Sequence, residues 1–192
     1  MINWKRRARR IPIQEVMATV RCTTKLLKEL GTKPTIAPAQ PSSLSDWHAN
    51  LLRIERKKYV LFTNDQTLYS FLIHLARRPV LADFIELFRL GLLKSLLAEG
   101  LDDTRVAQTV GGQGPTIITR TSSRSVLGSM NDVAFQTKYM VHYEGGLANV
   151  DFVEIGREIN RVPMKAINYN GAIEELKRKL DEPESGTSNR GS

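Results

Sequence analysis

The residues best suited to chemistry lie at 120–125, where the sequence reads R-T-S-S-R-S. This stretch joins a predicted strand to a predicted helix, and the first N–H groups of a helix attract anions. Guanidinium groups beside them add charge-assisted, planar hydrogen bonds to phosphate or carboxylate. We therefore predict an anion-binding site formed by Arg120, Ser122, Ser123 and Arg124. The alternative is that the serines only cap the helix and the arginines are solvated.

A second polar group surrounds two predicted strands and is a candidate polar pocket, formed by Trp47, His48, Asn64 and Asp65. A histidine beside a carboxylate is a common general base, because imidazole exchanges protons near neutral pH. No G-x-S-x-G motif, second cysteine or paired histidine supplies a nucleophile for it. Capping or packing is therefore the stronger interpretation of His48, and catalysis by it is the alternative.

Three further residues follow the D…E-x-K order of a common nuclease core, namely Asp46, Glu55 and Lys57. Such a core needs both carboxylates on a metal ion and the lysine beside the attacking water. Lys57 lies in a predicted hairpin turn, where it would point away from Asp46. We interpret these residues as an exposed charged turn, and we predict neither a metal site nor a cofactor.

The formal net charge of +8 is unevenly distributed, because residues 1–16 contribute +4 of it. The rest of the chain is only mildly basic, which weakens a nucleic-acid interpretation based on overall charge. Basic residues could still gather at one edge of the sheet and follow a phosphate backbone. Solvation and protection of the sheet edge explain such a cluster more simply. Its members are Arg53, Arg56, Lys57, Lys58, Arg77 and Arg78.

The fold class follows from three apolar runs between Trp47 and Leu75, separated by a charged and a polar break. This pattern predicts a three-stranded meander. Further strands are predicted at 18–22 and 116–121, and helices at 24–30, 79–99, 102–110, 125–141, 154–161 and 173–180. In the long helix, Phe84, Phe88 and Leu92 share one face and should be buried. We predict an α+β fold, with a central, mostly antiparallel sheet of four to five strands and helices packed on it.

The pattern divides the chain into three parts. Residues 1–16 have neither helical nor strand periodicity, and we interpret them either as an extension upstream of a start at Met17 or as a basic arm for nucleic acid. Residues 17–182 should form a single α+β domain. Residues 183–192 are rich in Pro, Glu, Ser, Gly and Asn, which predicts a disordered tail.

Composition places the protein in a reducing, cytoplasmic setting. Cys22 is the single cysteine, so no internal disulfide and no cysteine zinc site can form. No apolar run approaches the ~20 residues of a membrane span. The N-terminus has basic residues but no apolar run behind them, so it is not a signal peptide.

Three motifs resemble a bacterial domain-of-unknown-function family, family 6933. They are R-C-T-x-K-L-L at 21–27, W-x-A-N-L-L at 47–52 and R-S-V-L-G-S-M-N-D at 124–132. The resemblance extends over roughly residues 17–180 and implies a domain start near the first motif. It implies no activity, because the family has none established. Related domains occur in bacterial and plasmid-borne proteins, which implies an association with mobile elements.

We expect a non-enzymatic binding module whose partner is nucleic acid or another anionic ligand. A small hydrolase or nuclease with a site around His48 and Asp65 is the alternative. Convergence of the polar residues in one pocket would favour the enzyme, whereas a continuous basic surface would favour binding. The sequence does not indicate an oligomeric state.

Overall fold

The computed structural model describes residues 16–36, 43–106, 109, 113–121 and 123–182. The strands in these ranges are β1 (Val16–Cys22), β2 (Asp46–Ile54), β3 (Lys57–Asn64), β4 (Ser70–His74) and β5 (Gln113–Arg120). The helices are α1 (Thr24–Leu30), α2 (Leu81–Ala98), α3 (Asp103–Val106), α4 (Arg124–Tyr143), α5 (Phe152–Ile159) and α6 (Ala172–Asp181), with a 3-10 turn at Lys165–Ile167. The predicted basic extension, except for Val16, lies outside these ranges. The predicted tail lies outside them as well.

The strands form one sheet in the order β4-β3-β2-β1-β5. The predicted meander is confirmed, because β3 runs antiparallel to both β2 and β4. β1 runs parallel to its neighbours β2 and β5. The predicted α+β fold, with five strands and helices packed on the sheet, is confirmed. None of the described helices is long and apolar enough to cross a membrane.

One side of the sheet packs against α2 through aromatic residues. Phe84, Phe88 and Leu92 are buried, as predicted from their helical spacing. The ring of Phe88 lies 5.6 Å from that of Trp47 and 5.0 Å from that of Phe62. α1 lies on this side too. Glu29 of α1 forms an ion pair with Lys58 of β3 at 2.7 Å. Lys58 precedes Phe62 by four residues in the strand, so the two side chains point to the same side of the sheet.

The other side of the sheet is covered by α4 and α5. Tyr59 of β3 faces this side, and its ring lies 4.5 Å from that of Phe152 in α5. α4 packs on β2 and β3 and against α5. The neighbouring parallel strands β1 and β5 are therefore followed by helices on opposite sides of the sheet.

The predicted start of β5 is wrong by three residues. The strand was predicted to begin at Thr116, yet β5 begins at Gln113, which pairs with Val16. A register shift between Val16 and Ala18 accommodates the extra length. Pro115 lies within this shift, between Gln113 and Thr116, and proline is tolerated at such a bulge because the ladder is already irregular there.

Candidate functional site

A row of polar residues crosses the whole sheet on the side covered by α4 and α5. Cross-strand pairing places its members directly beside one another, because paired residues point to the same side of a sheet. The row consists of Ser70, Thr63, His48, Arg21 and Thr119, in that order. Most of these side chains are buried, and burying polar groups is costly unless they form hydrogen bonds.

Four charged or titratable side chains form a network in the middle of this row. The Arg21 guanidinium donates from Nη1 to Asp65 Oδ2 at 2.7 Å, and its Nη2 lies 3.5 Å from Asp46 Oδ2. His48 Nδ1 lies 2.5 Å from Asp65 Oδ1. Asp65 therefore accepts from both Arg21 and the imidazole, with the His48 proton at Nδ1. Asp46 Oδ2 also accepts from the Ser43 backbone N–H at 3.0 Å, which fixes the start of β2.

The position of His48 decides what this network can do. His48 is 0% exposed, and its Nε2 has no hydrogen-bond partner among the described residues. A general base must reach the proton it removes, and Nε2 is sealed beneath the helices. Within the described residues, no group of three or more His, Cys, Asp or Glu is placed to hold a metal ion. The geometry is that of an internal, structural charge network.

The other two members of the predicted polar pocket lie elsewhere. Trp47 alternates with His48 and therefore points to the aromatic side of the sheet, where its ring is buried. Asn64 shapes the turn between β3 and β4, because its Oδ1 accepts from the backbone of Gln66 and Thr67. The structure thus brings His48 and Asp65 together and places Trp47 and Asn64 in packing and turn roles.

Sequence reasoning included Asp46 with His48 and Asp65 in the hydrolase or nuclease alternative, but it did not assign Arg21, which contacts both Asp65 and Asp46. These contacts join residues far apart in the chain, so no local spacing reveals them. One signal was present, because Thr19 and Arg21 alternate with the buried Ala18 and Val20 in β1. That alternation indicates a strand with one polar side.

Asp46, Glu55 and Lys57, which follow a nuclease-like order in the sequence, do not come together in the structure. Trp47, beside Asp46, pairs with Asn64, whereas Lys57 pairs with Ile54 at the other end of the hairpin. The length of β2 therefore separates Asp46 from Lys57. Glu55 and Arg56 form an exposed turn, as predicted, whereas Lys57 is not in the turn but is the exposed first residue of β3.

The predicted anion site lies at the junction of β5 and α4. Arg120 is the last residue of β5, and Arg124 is the first residue of α4. Both side chains are exposed, and neither forms an ion pair with a described residue. Ser123 is the N-cap of α4, and its hydroxyl accepts from the Val126 N–H at 3.3 Å. Ser122 lies outside the described residues.

The start of α1 lies beside this junction. The Thr121 N–H donates to the Cys22 carbonyl at 3.2 Å, which joins the ends of β5 and β1. Thr23 caps α1, and Lys25 follows in its first turn as an exposed cation. Neither α1 nor α4 has an acidic residue in its first turn. The positive ends of both helices are therefore not neutralised locally.

Thr119 adds a polar group to the same edge. It is buried in the row described above, one residue before the end of β5, and its Oγ1 has no hydrogen-bond partner among the described residues. Such hydroxyls usually find a partner when buried. The carboxyl end of β5 thus carries an unsatisfied hydroxyl on the covered side of the sheet.

The basic cluster predicted at the sheet edge lies at the hairpin end of the sheet, because Arg53 pairs with Lys58 and the Leu75 N–H, two residues before Arg77, donates to the Lys58 carbonyl. Arg56 and Lys57 are exposed at the turn between β2 and β3. Lys58 is partly neutralised by Glu29, and the Arg78 guanidinium lies against Gly31 at the end of α1. The cations of this cluster that form no ion pair with a described residue therefore lie mainly at the hairpin turn, at the opposite end of β2 from Asp46.

Cys22 is buried at the end of β1, and burial raises the pKa of its thiol to about 12. Because the thiolate is the reactive form, we expect the native protein not to react with a chromogenic disulfide reagent near neutral pH. One thiol per chain should react after denaturation. Rapid reaction of the native protein would show that the β1 end opens to solvent.

The same pKa shift predicts an alkaline loss of stability. The protonated Cys22 thiol contributes fully below its usual pKa near 9, and this contribution is lost as pH rises toward 12. Burial also raises the pKa of Tyr69, which acts in the same direction. Denaturant titrations across this alkaline range should show a falling free energy of unfolding, and a constant value would contradict the burial of both groups.

Comparison with known families gives a match that covers most of the fold described above. The family model described as "Domain of unknown function (DUF6933)" matches residues 19–175, from the middle of β1 into α6. A comparison with curated proteins gave no match. The match spans the whole sheet, the charge network and the junction of β5 with α4. The chain therefore belongs to the DUF6933 family.

Proposed function

We propose that this protein is a non-enzymatic binding module for a phosphate-bearing ligand, with nucleic acid as the favoured class. The binding site is the edge of the sheet where β1 and β5 end. Its cations are Arg120, Arg124 and Lys25, and the N-terminus of α4 lies between them. A reducing cytoplasmic setting fits the single buried thiol of Cys22.

The observation that carries this proposal is the course of the chain after β1 and β5. These strands are parallel neighbours, and α1 and α4 leave their ends on opposite sides of the sheet. In open sheets with parallel strands, ligands bind in the crevice that such a divergence creates. Arg120 ends β5 and Arg124 begins α4, and their exposed guanidiniums form no ion pair with a described residue. Guanidiniums beside a helix N-terminus match the geometry and charge of phosphate.

The hydrolase alternative around His48 and Asp65 receives less support. Its one favourable observation is the 2.5 Å contact between the two side chains. However, the imidazole is fully buried, and the Asp65 carboxylate contacts the side chains of Arg21 and His48 rather than any nucleophile. A base–orienter pair without an accessible base has no route to a substrate.

The test is the double substitution Arg120→Ala with Arg124→Ala. Wild-type protein should bind heparin or short DNA at low salt, and its affinity should fall steeply as salt rises, because phosphate contacts release counterions. The double variant should lose this binding and most of the salt dependence. Fluorescence anisotropy of labelled DNA over a salt series measures both.

Two matched variants make the result specific. Lys94→Ala with Lys165→Ala removes the same charge from exposed positions away from α1 and α4 and should bind as the wild type does. Arg56→Gln with Lys57→Gln probes the hairpin turn. If this second pair abolishes binding and the Arg120 and Arg124 pair does not, the turn is the binding surface and the crevice is only a capped helix start.

A further inference from the structure

The outer face of α4 carries a stripe of exposed aromatic side chains. Phe135, Tyr139 and Tyr143 are spaced four residues apart and therefore lie along one side of the helix. They are 73%, 61% and 77% exposed. The rings of Tyr139 and Tyr143 stack on each other at 6.3 Å. Single exposed apolar residues are common, but a contiguous aromatic stripe of this kind marks an interaction surface.

The opposite face of α4 already supplies its contact with the sheet. Val133, Thr137 and Val141 are buried there. α4 thus has two apolar faces, and only one of them is buried against other described residues.

A groove runs beside the stripe, between α4 and the end of α5. Phe135 and Tyr139 form one wall, and Met140, Ile159 and Val162 form much of the remainder. Its volume is about 350 Å³. A protruding aromatic ridge and an apolar groove therefore lie next to each other on one surface, which we call the aromatic face.

A ridge beside a groove of the same chemistry is self-complementary. In a two-fold dimer, the same patch is used by both copies, so the ridge of one can enter the groove of the other. Burying the three exposed aromatic side chains on each copy removes roughly 600–1,000 Å² from water. With the groove residues added, this reaches the about 1,000 Å² that a specific interface requires.

The charges around the aromatic face also favour a second copy. The bordering charged residues are Asp132, Lys138 and Glu158, of both signs, and none forms an ion pair with a described residue. The chain as a whole is strongly basic, so self-association is least opposed by repulsion on this balanced face. An anionic partner would instead require a cluster of cations here.

We propose that the aromatic face is the interface of a symmetric homodimer. α4 and the end of α5 of one copy pack against the same elements of the other. The edge of β5 and β1 proposed above for phosphate lies at the other end of α4, so each dimer would carry two such sites. This proposal does not depend on the proposed ligand.

The experiment is sedimentation velocity on the full chain over a concentration series. The wild type should approach twice the 21.6 kDa mass of one chain. Phe135→Gln with Tyr139→Gln should raise the dimer dissociation constant by at least about a hundredfold, because central aromatic side chains dominate interface energies. Glutamine is a good helix former, so this variant should fold, and circular dichroism of the dilute protein checks that it does.

The control is Leu90→Gln with Leu97→Gln, which makes the same kind of change at two exposed positions of α2. This pair should dimerise as the wild type does. A wild type that stays monomeric at every concentration overturns the proposal, as does a Phe135 and Tyr139 variant that still dimerises. Binding of phospholipid vesicles by a monomeric wild type, lost in the double variant, would assign the face to a lipid surface instead.

Discussion

Substituting Phe88 with alanine should lower the free energy of unfolding by about 3–5 kcal/mol, as at other buried aromatic positions. Phe88 is buried at the centre of the aromatic side, where its ring contacts those of Trp47, Phe62 and Phe71 at 5.6, 5.0 and 6.0 Å. The cost has two parts. The free energy gained by burying the ring is lost, and a cavity remains that the rigid aromatic neighbours cannot fill. Denaturant unfolding followed by circular dichroism measures it.

Leu90→Ala in the same helix is the matched control. Leu90 is exposed, so its loss should cost under about 1 kcal/mol. Equal losses at the two positions would mean that helix propensity, not burial, accounts for the effect. A cost below about 1 kcal/mol at Phe88 would show that this face of α2 does not hold the core together.

This face of α2 illustrates what the sequence could predict. Its apolar residues recur at helical spacing, and the break at Gly100 ends the pattern with a positive φ of 72°. The meander was equally local, since four charged residues at 55–58 separate the apolar runs of β2 and β3. Signals of this kind depend only on neighbours in the chain, so they can be read without knowing the tertiary structure.

The parallel pairing of β1 could not be predicted in the same way. Nothing in residues 16–22 identifies both β2 and β5 as its neighbours, because the partners lie more than twenty residues away in the chain. The crevice between α1 and α4 depends on that pairing. The sequence therefore indicated Arg120 and Arg124 as anion ligands but not Lys25, which only the topology brings to the same edge.

The aromatic stripe on α4 was missed for a different reason. Val126, Met130, Val133 and Thr137 share the face of α4 that packs on the sheet side, and they are buried. Phe135, Tyr139 and Tyr143 occupy the opposite face at regular spacing, so a helical projection would have revealed a second apolar side. The second apolar side is the one that we propose as the dimer interface.

Removing the carboxylate of Asp65 should have the second large effect. Asp65→Ala leaves His48 without a partner on either ring nitrogen and leaves the Arg21 guanidinium with only Asp46, at 3.5 Å. Taking one partner from a buried charge network costs about 3–5 kcal/mol, because the remaining charge stays buried. The side chains are 0% exposed at His48 and 11% at Asp65, so solvent can compensate little.

The matched control is an ion pair on the surface. Glu154 and Arg157 in α5 are joined at 2.9 Å but are exposed to solvent, and Glu154→Ala should cost under about 1 kcal/mol. Asp65→Asn should fall between the two, because an amide oxygen can still accept from His48 or Arg21 while the charge is lost. A double-mutant cycle of Asp65→Asn with Arg21→Gln then isolates the interaction between the two groups. If Asp65→Ala costs no more than Glu154→Ala, the network is solvated in solution, and the buried imidazole of His48 becomes accessible to a substrate after all.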